Sequence, residues 1–142
     1  MQFSLLHCMH ACIEEAGGVY LPDRLHKTRI AIKKFRYAME LASDRSPERN
    51  WRRELLILRR TQDLLGRLRD RQLLVERVRR VQASLTPPDL VLWRGLDGLV
   101  TAIEKECRRL HARYVRDAAG ILAICARATS RPAGAARARR VG

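Results

Sequence analysis

The sequence predicts an all-α protein, an up-down bundle of three long helices preceded by a short one. Two observations carry this. Apolar residues recur three and four apart over long stretches, the period of a helix with one buried face. Helix-breaking clusters then divide those stretches at Gly17-Gly18, Tyr20 to Asp23, Ser46-Pro47 and Thr86 to Asp89. A chain of 142 residues suits one domain with a substantial core. With aromatics at 5%, Leu, Val, Ile and Ala must do most of the packing.

The first helix is expected over residues 3 to 16, with Phe3, Leu6, His10 and Ile13 on one side and Gly17-Gly18 as its stop. His7, Cys8, His10 and Cys12 invite a metal reading, but their spacing matches no closed zinc pattern, and core filling is the simpler expectation. Tyr20-Leu21-Pro22-Asp23 then forms a tight connection, with Asp23 placed to cap the next helix.

That next helix, residues 25 to 41, organises the chain. Leu25, Thr28, Ile32, Phe35, Met39 and Ala42 share one arc, the seam of a buried face. The adjoining arc carries His26, Arg29, Lys33, Arg36 and Glu40, with Tyr37 beside them. At 1.5 Å per residue, His26 to Arg36 spans about 15 Å, enough to face several successive phosphates. His26 is expected in the first turn, where unpaired backbone N–H groups favour an anion. Tyr37 fits a half-buried bundle residue or, alternatively, a ring that orients a neighbouring arginine.

This helix should end by Ser43-Asp44, and Ser46-Pro47 should start the third, which runs from Glu48 to about Leu85. Its face begins as Trp51, Leu55, Leu58, Gln62 and Leu65, then shifts toward Leu64, Leu68, Val75 and Val78 around Gly66. An interior glycine suggests close approach of another helix or a bend. Asp63 and Asp70 could resemble a carboxylate pair, but ion pairing with Arg59, Arg67 and Arg69 to Arg71 accounts for them. Thr86 is expected to cap the fourth helix, with Asp89 at its third position. The fourth seam is Trp93, Leu96, Val100, Ile103, Cys107, Leu110, Tyr114, Ala118, Ile121 and Cys125. Lys105, Arg108, Arg109, Arg113 and Arg116 lie behind it, and Arg109 and Arg113 are placed to reach a groove. The bundle is thus expected over residues 1–128, followed by a disordered Arg/Ala/Gly-rich basic tail over 129–142.

The second helix reads His26, Arg29, Lys33, Arg36, Tyr37, which resembles the His-x-x-Arg-x-x-x-Lys/Arg-x-x-Arg-Tyr pattern of CHAD domains, the conserved-histidine α-helical family. Thr61 to Leu74 is similar to that family's Leu-Gln-x-x-Leu-Gly-x-x-x-Asp segment, with Gln62, Leu65, Gly66 and Asp70 in place and Thr61 departing from the usual Leu. With a weaker likeness at Arg94 to Tyr114, the resemblance spans roughly residues 5 to 115, and it is to the family's C-terminal half. It implies an all-helical, two-half domain that binds inorganic polyphosphate between basic residues of both halves. Phosphate contact is accordingly expected from His26, Arg29, Lys33 and Arg36, with Lys34 and Lys27 at the margin and Tyr37 in the same site.

The charge agrees with a polyanion partner. The formal net charge is +14, from 29 basic and 15 acidic residues, and all but four of the basic residues are arginine, which suits bidentate phosphate contacts. Four cysteines on apolar stripes, without framework spacing, fit a reducing cytoplasmic setting. No apolar run approaches the roughly 18 residues of a membrane span, and the N-terminus lacks a signal-peptide pattern. Without a Gly-rich phosphate loop or a catalytic set, a non-enzymatic protein with no cofactor or metal is expected. The expected function is polyphosphate binding, with a homodimer or second half-domain completing the site. Two alternatives are a nucleic-acid-binding module and a structural bundle docking an acidic protein partner. Scarce aromatic platforms disfavour single-strand recognition.

Overall fold

A computed structural model describes residues 2–45, 51–86 and 89–129, which form four α-helices: α1 (Gln2–Ala16), α2 (Pro22–Arg45), α3 (Arg52–Ser84) and α4 (Leu90–Thr129). Each helix packs antiparallel on the next in the chain, and α1 closes the ring against α4, which gives the expected up-down bundle. The Ser46-Pro47 start signal, the residues from Glu48 to Asn50 and the tail from Ser130 lie outside the described residues. α4 ends at Thr129, one residue into the segment assigned to the tail.

The core follows the seams. Leu25, Thr28, Ile32, Phe35 and Met39 of α2 are buried, with Ala42 half-buried at the end of the line. On α3 the buried face moves from Leu58 and Thr61 through Leu64, Leu65 and Leu68 to Gln72, Val78 and Gln82, the phase drift read around Gly66. In α1 the buried positions are Leu6, Met9, Ile13 and Ala16. His10 is therefore corrected off the seam: Met9 fills that place, and His10 turns outward to Glu14, its Nδ1 3.2 Å from the carboxylate. Cys107 and Cys125 are buried as expected, but Cys8 is exposed and Cys12 only half-buried.

Several helix boundaries fall one to three residues from the expected ones, where neighbouring residues compete for the cap. Gly17, at φ 54°, takes the left-handed conformation that ends α1, and its N–H donates to the Ile13 carbonyl at 3.2 Å. α2 begins at Pro22 instead of after Asp23, because proline's fixed φ and missing N–H suit the first helical position. The carbonyl of Leu21 accepts the first bond, from Leu25 N–H at 3.1 Å. The other end of α2 reaches Arg45, one residue past Asp44. α4 is capped by Asp89, whose Oδ1 accepts from the Val91 and Leu92 N–H groups at 3.0 Å each. Thr86 does not cap it: its hydroxyl turns back toward the Ser84 carbonyl, and the carboxylate, which takes two N–H groups at once, holds the capping place.

The helices differ in length, and this shapes the molecule. By rise per residue, α1 and α2 measure about 22 and 36 Å, against about 50 and 60 Å for α3 and α4. The α1–α2 connection is fastened to the longer pair through Tyr20, whose hydroxyl accepts a bond from Gln72 Nε2 at 3.0 Å and whose ring lies 5.3 Å from that of His111. Burial pushes the Tyr20 phenol up to about 12 and holds His111 below its usual value. Past Gln72 and Cys107 the α3/α4 hairpin continues without a covering layer. Trp93, read as a seam residue, is 42% exposed for that reason.

Candidate functional site: a basic face on α2

The basic line of α2 faces α3. Thr28 fixes its roll, since the hydroxyl lies 3.0 Å from the carbonyls of both Cys12 in α1 and Arg24 one turn back. With Thr28 pinned to α1, His26 and Arg29 are rotated toward α3. Both are partly buried, while Lys27, Lys33 and Lys34 are exposed beside them.

His26 is the fifth residue of α2, so its own N–H already lies inside the helical hydrogen-bond ladder. The expected help from unpaired N–H groups of the first turn therefore does not apply to it. Its side chain carries a different signal: Nδ1 is buried and has no hydrogen-bond partner. Arg29 repeats this one turn on, with Nε buried and unpartnered. A Cβ on Gly66 would stand 3.9 Å from Arg29 Nε, so the glycine of α3 lets the arginine stem lie against the helix. The close approach read from Gly66 is thus by a side chain of α2. Buried polar atoms are normally paired, and one left unpaired costs about 1–3 kcal/mol.

Arg36 is different. Its side chain is only 13% exposed, its Nε donates to Gln62 Oε1 at 2.9 Å, and its NH1 donates to Glu40 Oε1 at 2.7 Å. Arg59 reaches the same Glu40 oxygen at 2.7 Å. The guanidinium also stacks over the exposed ring of Tyr37, 4.3 Å from its centroid, with Lys33 Nζ at 5.8 Å. Tyr37 therefore sits under two cations as an orienting surface, and is not a half-buried bundle residue. Arg36 joins α2 to α3, and Gln62 is its anchor. Periodicity put Glu40 on this line but could not show that two arginines share it.

The candidates on α4 are not brought to this face. Arg109 is exposed and paired with Glu106 at 2.9 Å. Arg113 lies on the other flank of α3, in an open groove of about 650 Å³ between α3 and α4 that Arg60, Arg67 and Arg116 also line. Arg116, placed on the back face from sequence, is a groove residue. The seven-residue step from Arg60 to Arg67 was a usable hint, but only the register of α3 on α4 sets them opposite Arg113. Asp63 and Asp70 form no ion pair with any described residue, which corrects the expectation that pairing accounts for them. Among the described residues, no group of three His, Cys, Asp or Glu side chains is arranged to hold a metal ion, and no helix is long and apolar enough to cross a membrane.

Comparison with known families decides what this basic face belongs to: the CHAD domain matches residues 9–79, half of the sequence. The chain belongs to the CHAD family. The matched segment holds the whole α2 line together with Gln62, Gly66 and Asp70, so the two segments that resembled a CHAD domain both fall inside it. The weaker likeness at Arg94 to Tyr114 lies beyond its end. No curated protein and no solved structure matches the chain.

Proposed function

We propose that this CHAD domain binds inorganic polyphosphate without turning it over, along the face of α2 carrying His26, Arg29 and Lys33, with Lys34 and Lys27 at its edge. The observation that supports this most is that His26, Arg29 and Lys33 stand in one line, half-buried or exposed, and none of them forms an ion pair with a described residue. An unsatisfied cationic face on a protein of net charge +14 is suited to a polyanion. CHAD domains bind polyphosphate in general terms, and the match covers this face. Arg36 and Tyr37 form its far end, where the guanidinium contacts phosphate only through the edge left free by Gln62 and Glu40.

A single helix face leaves an extended anion open to water and to salt, whose screening length is about 8 Å under physiological conditions. A second basic wall, from a second half-domain or a second copy, would confine it. This reading treats the chain as the equivalent of one CHAD half, acting in the cytoplasm. Long-chain polyphosphate should outcompete duplex DNA at matched phosphate concentration and salt, both for the full chain and for a chain lacking residues 129–142. Affinity should fall steeply with salt as counterions are released. If DNA ties or wins, the chain is a general polyanion binder, and nucleic acid becomes the better reading.

A further inference from the structure

The covering layer of the bundle stops at Tyr20, but α3 runs on for about 18 Å to Ser84, and α4 covers about 25 Å from Leu90 to Glu106. Among the described residues of this arm, 73–86 and 89–106, only the seam between the two helices is buried, through Val78, Gln82, Val100 and Ile103. Two helices cannot enclose a core of their own. Leu74, Val81, Val91, Leu92, Trp93 and Leu99 remain between 41% and 84% exposed. More than half of the exposed large apolar residues described in the chain lie in this arm, and such a concentration marks a contact surface.

Charge points to the occupant. The arm contains five basic residues (Arg77, Arg79, Arg80, Arg94 and Lys105) and five acidic ones (Glu76, Asp89, Asp97, Glu104 and Glu106). It is electrically neutral in a molecule of net charge +14. Arg79 lies 3.4 Å from Asp97 and 3.7 Å from Glu104, so part of this balance is closed within the arm. An acidic partner would be drawn to the basic remainder of the chain and finds no net attraction here. The arm is instead the part of the surface on which a like-charged molecule can approach without net repulsion.

We infer that the α3/α4 arm is a docking surface for a second copy of this chain, the two arms packing side by side as a four-helix cross-section. A two-fold dimer sets the same surface of each copy against the other, so one exposed arm is enough to define both sides of the interface. The inference does not rest on polyphosphate binding. If that reading also holds, antiparallel arms bring the His26 ends of the two α2 helices toward a common centre, because the arm projects past that end of α2.

The test is sedimentation equilibrium of the full chain without polyphosphate, at moderate salt and with a reductant because Cys8 is exposed. The parent is expected to be a dimer. Leu92→Gln with Leu99→Gln should raise its dissociation constant on the order of a hundredfold or more. Leu41→Gln with Leu56→Gln, at least as exposed but on the bundle body, should leave it unchanged. Val91→Gln, at 84% exposure, alters the arm without threatening the fold, and circular dichroism checks helicity throughout. A parent that is monomeric at every accessible concentration, or a dimer indifferent to all three arm substitutions, overturns the inference. Polyphosphate affinity is measured separately, so failure of either reading leaves the other standing.

Discussion

The two ends of the α2 basic line share spacing and residue type, yet they meet different surfaces of α3. At one end, Arg29 lies against Gly66, which offers it no hydrogen-bonding side chain, and His26 and Arg29 each keep a buried nitrogen unpaired. Two turns on, Arg36 meets Gln62 and Glu40, and its donors are taken by the fold. A cation whose partners come from its own chain fastens helices. One that pairs with no side chain of its own chain leaves the part of it that solvent reaches open to a ligand. Under the proposed function, the difference separates a binding end from a structural end within one motif.

The largest expected effect tests the binding end. Replacing His26 and Arg29 by Gln together should weaken polyphosphate binding by about a hundredfold or more, given about 1.5–3 kcal/mol for each bond to a charged group. Calorimetry on this variant is compared with Arg113→Gln plus Arg116→Gln, which alters the groove on the other flank of α3. Equal losses would show that affinity follows net charge alone and would dissolve the distinction between faces.

Next comes the structural end. Arg36→Ala removes the link between α2 and α3 and leaves Gln62 unpaired, so stability should fall by about 1–3 kcal/mol, with a thermal midpoint several degrees lower. Polyphosphate affinity should change less than in the His26/Arg29 variant. Arg36→Lys should recover little of the stability, because an ammonium cannot reach Gln62 and Glu40 as a fork. A variant that binds far worse but melts normally would reverse the roles of the two ends.

Gly66 sharpens the comparison from the α3 side. An added methyl would lie 3.9 Å from Arg29 Nε, ordinary contact, so Gly66→Ala should keep affinity and raise stability by up to about 1 kcal/mol through helix propensity. Gly66→Leu should displace Arg29 and reduce binding. If both variants bind like the parent, the position of Arg29 on α3 is immaterial.

The smallest effect lies away from the line. Burial holds the His111 imidazole below its usual value near 6.5, so the folded protein binds fewer protons there than the unfolded chain. Stability therefore rises with pH through that window and is lost as pH falls below about 6.5. Denaturation of His111→Gln beside the parent at a series of pH values should show a flatter profile. An unchanged profile would assign the acid sensitivity elsewhere.

Much of the fold was legible because helical seams announce themselves. Leu25 to Met39 and Val100 to Cys125 follow the 3.6-residue period closely enough to name nearly every buried side chain in advance. Boundaries were less legible, since Pro22 and Asp89 competed with equally plausible caps one to three residues away. The basic line was legible as a line, through spacing and its likeness to a family pattern. That His26 and Arg29 are free while Arg36 is engaged was not, because the deciding groups, Gly66, Gln62 and Arg59, lie far along the chain.

Sequence alone determined the helices, their order, the buried stripes and the excess positive charge, because these depend on residue type and local period. Only tertiary structure decided which cations are unpartnered, how Arg113 and Arg116 come to share a groove with Arg60 and Arg67, and where the bundle leaves an apolar arm uncovered. Each of those follows from the register and the unequal lengths of packed helices. A period repeated along one helix specifies a face, but it carries no information about which residue of another helix will stand opposite.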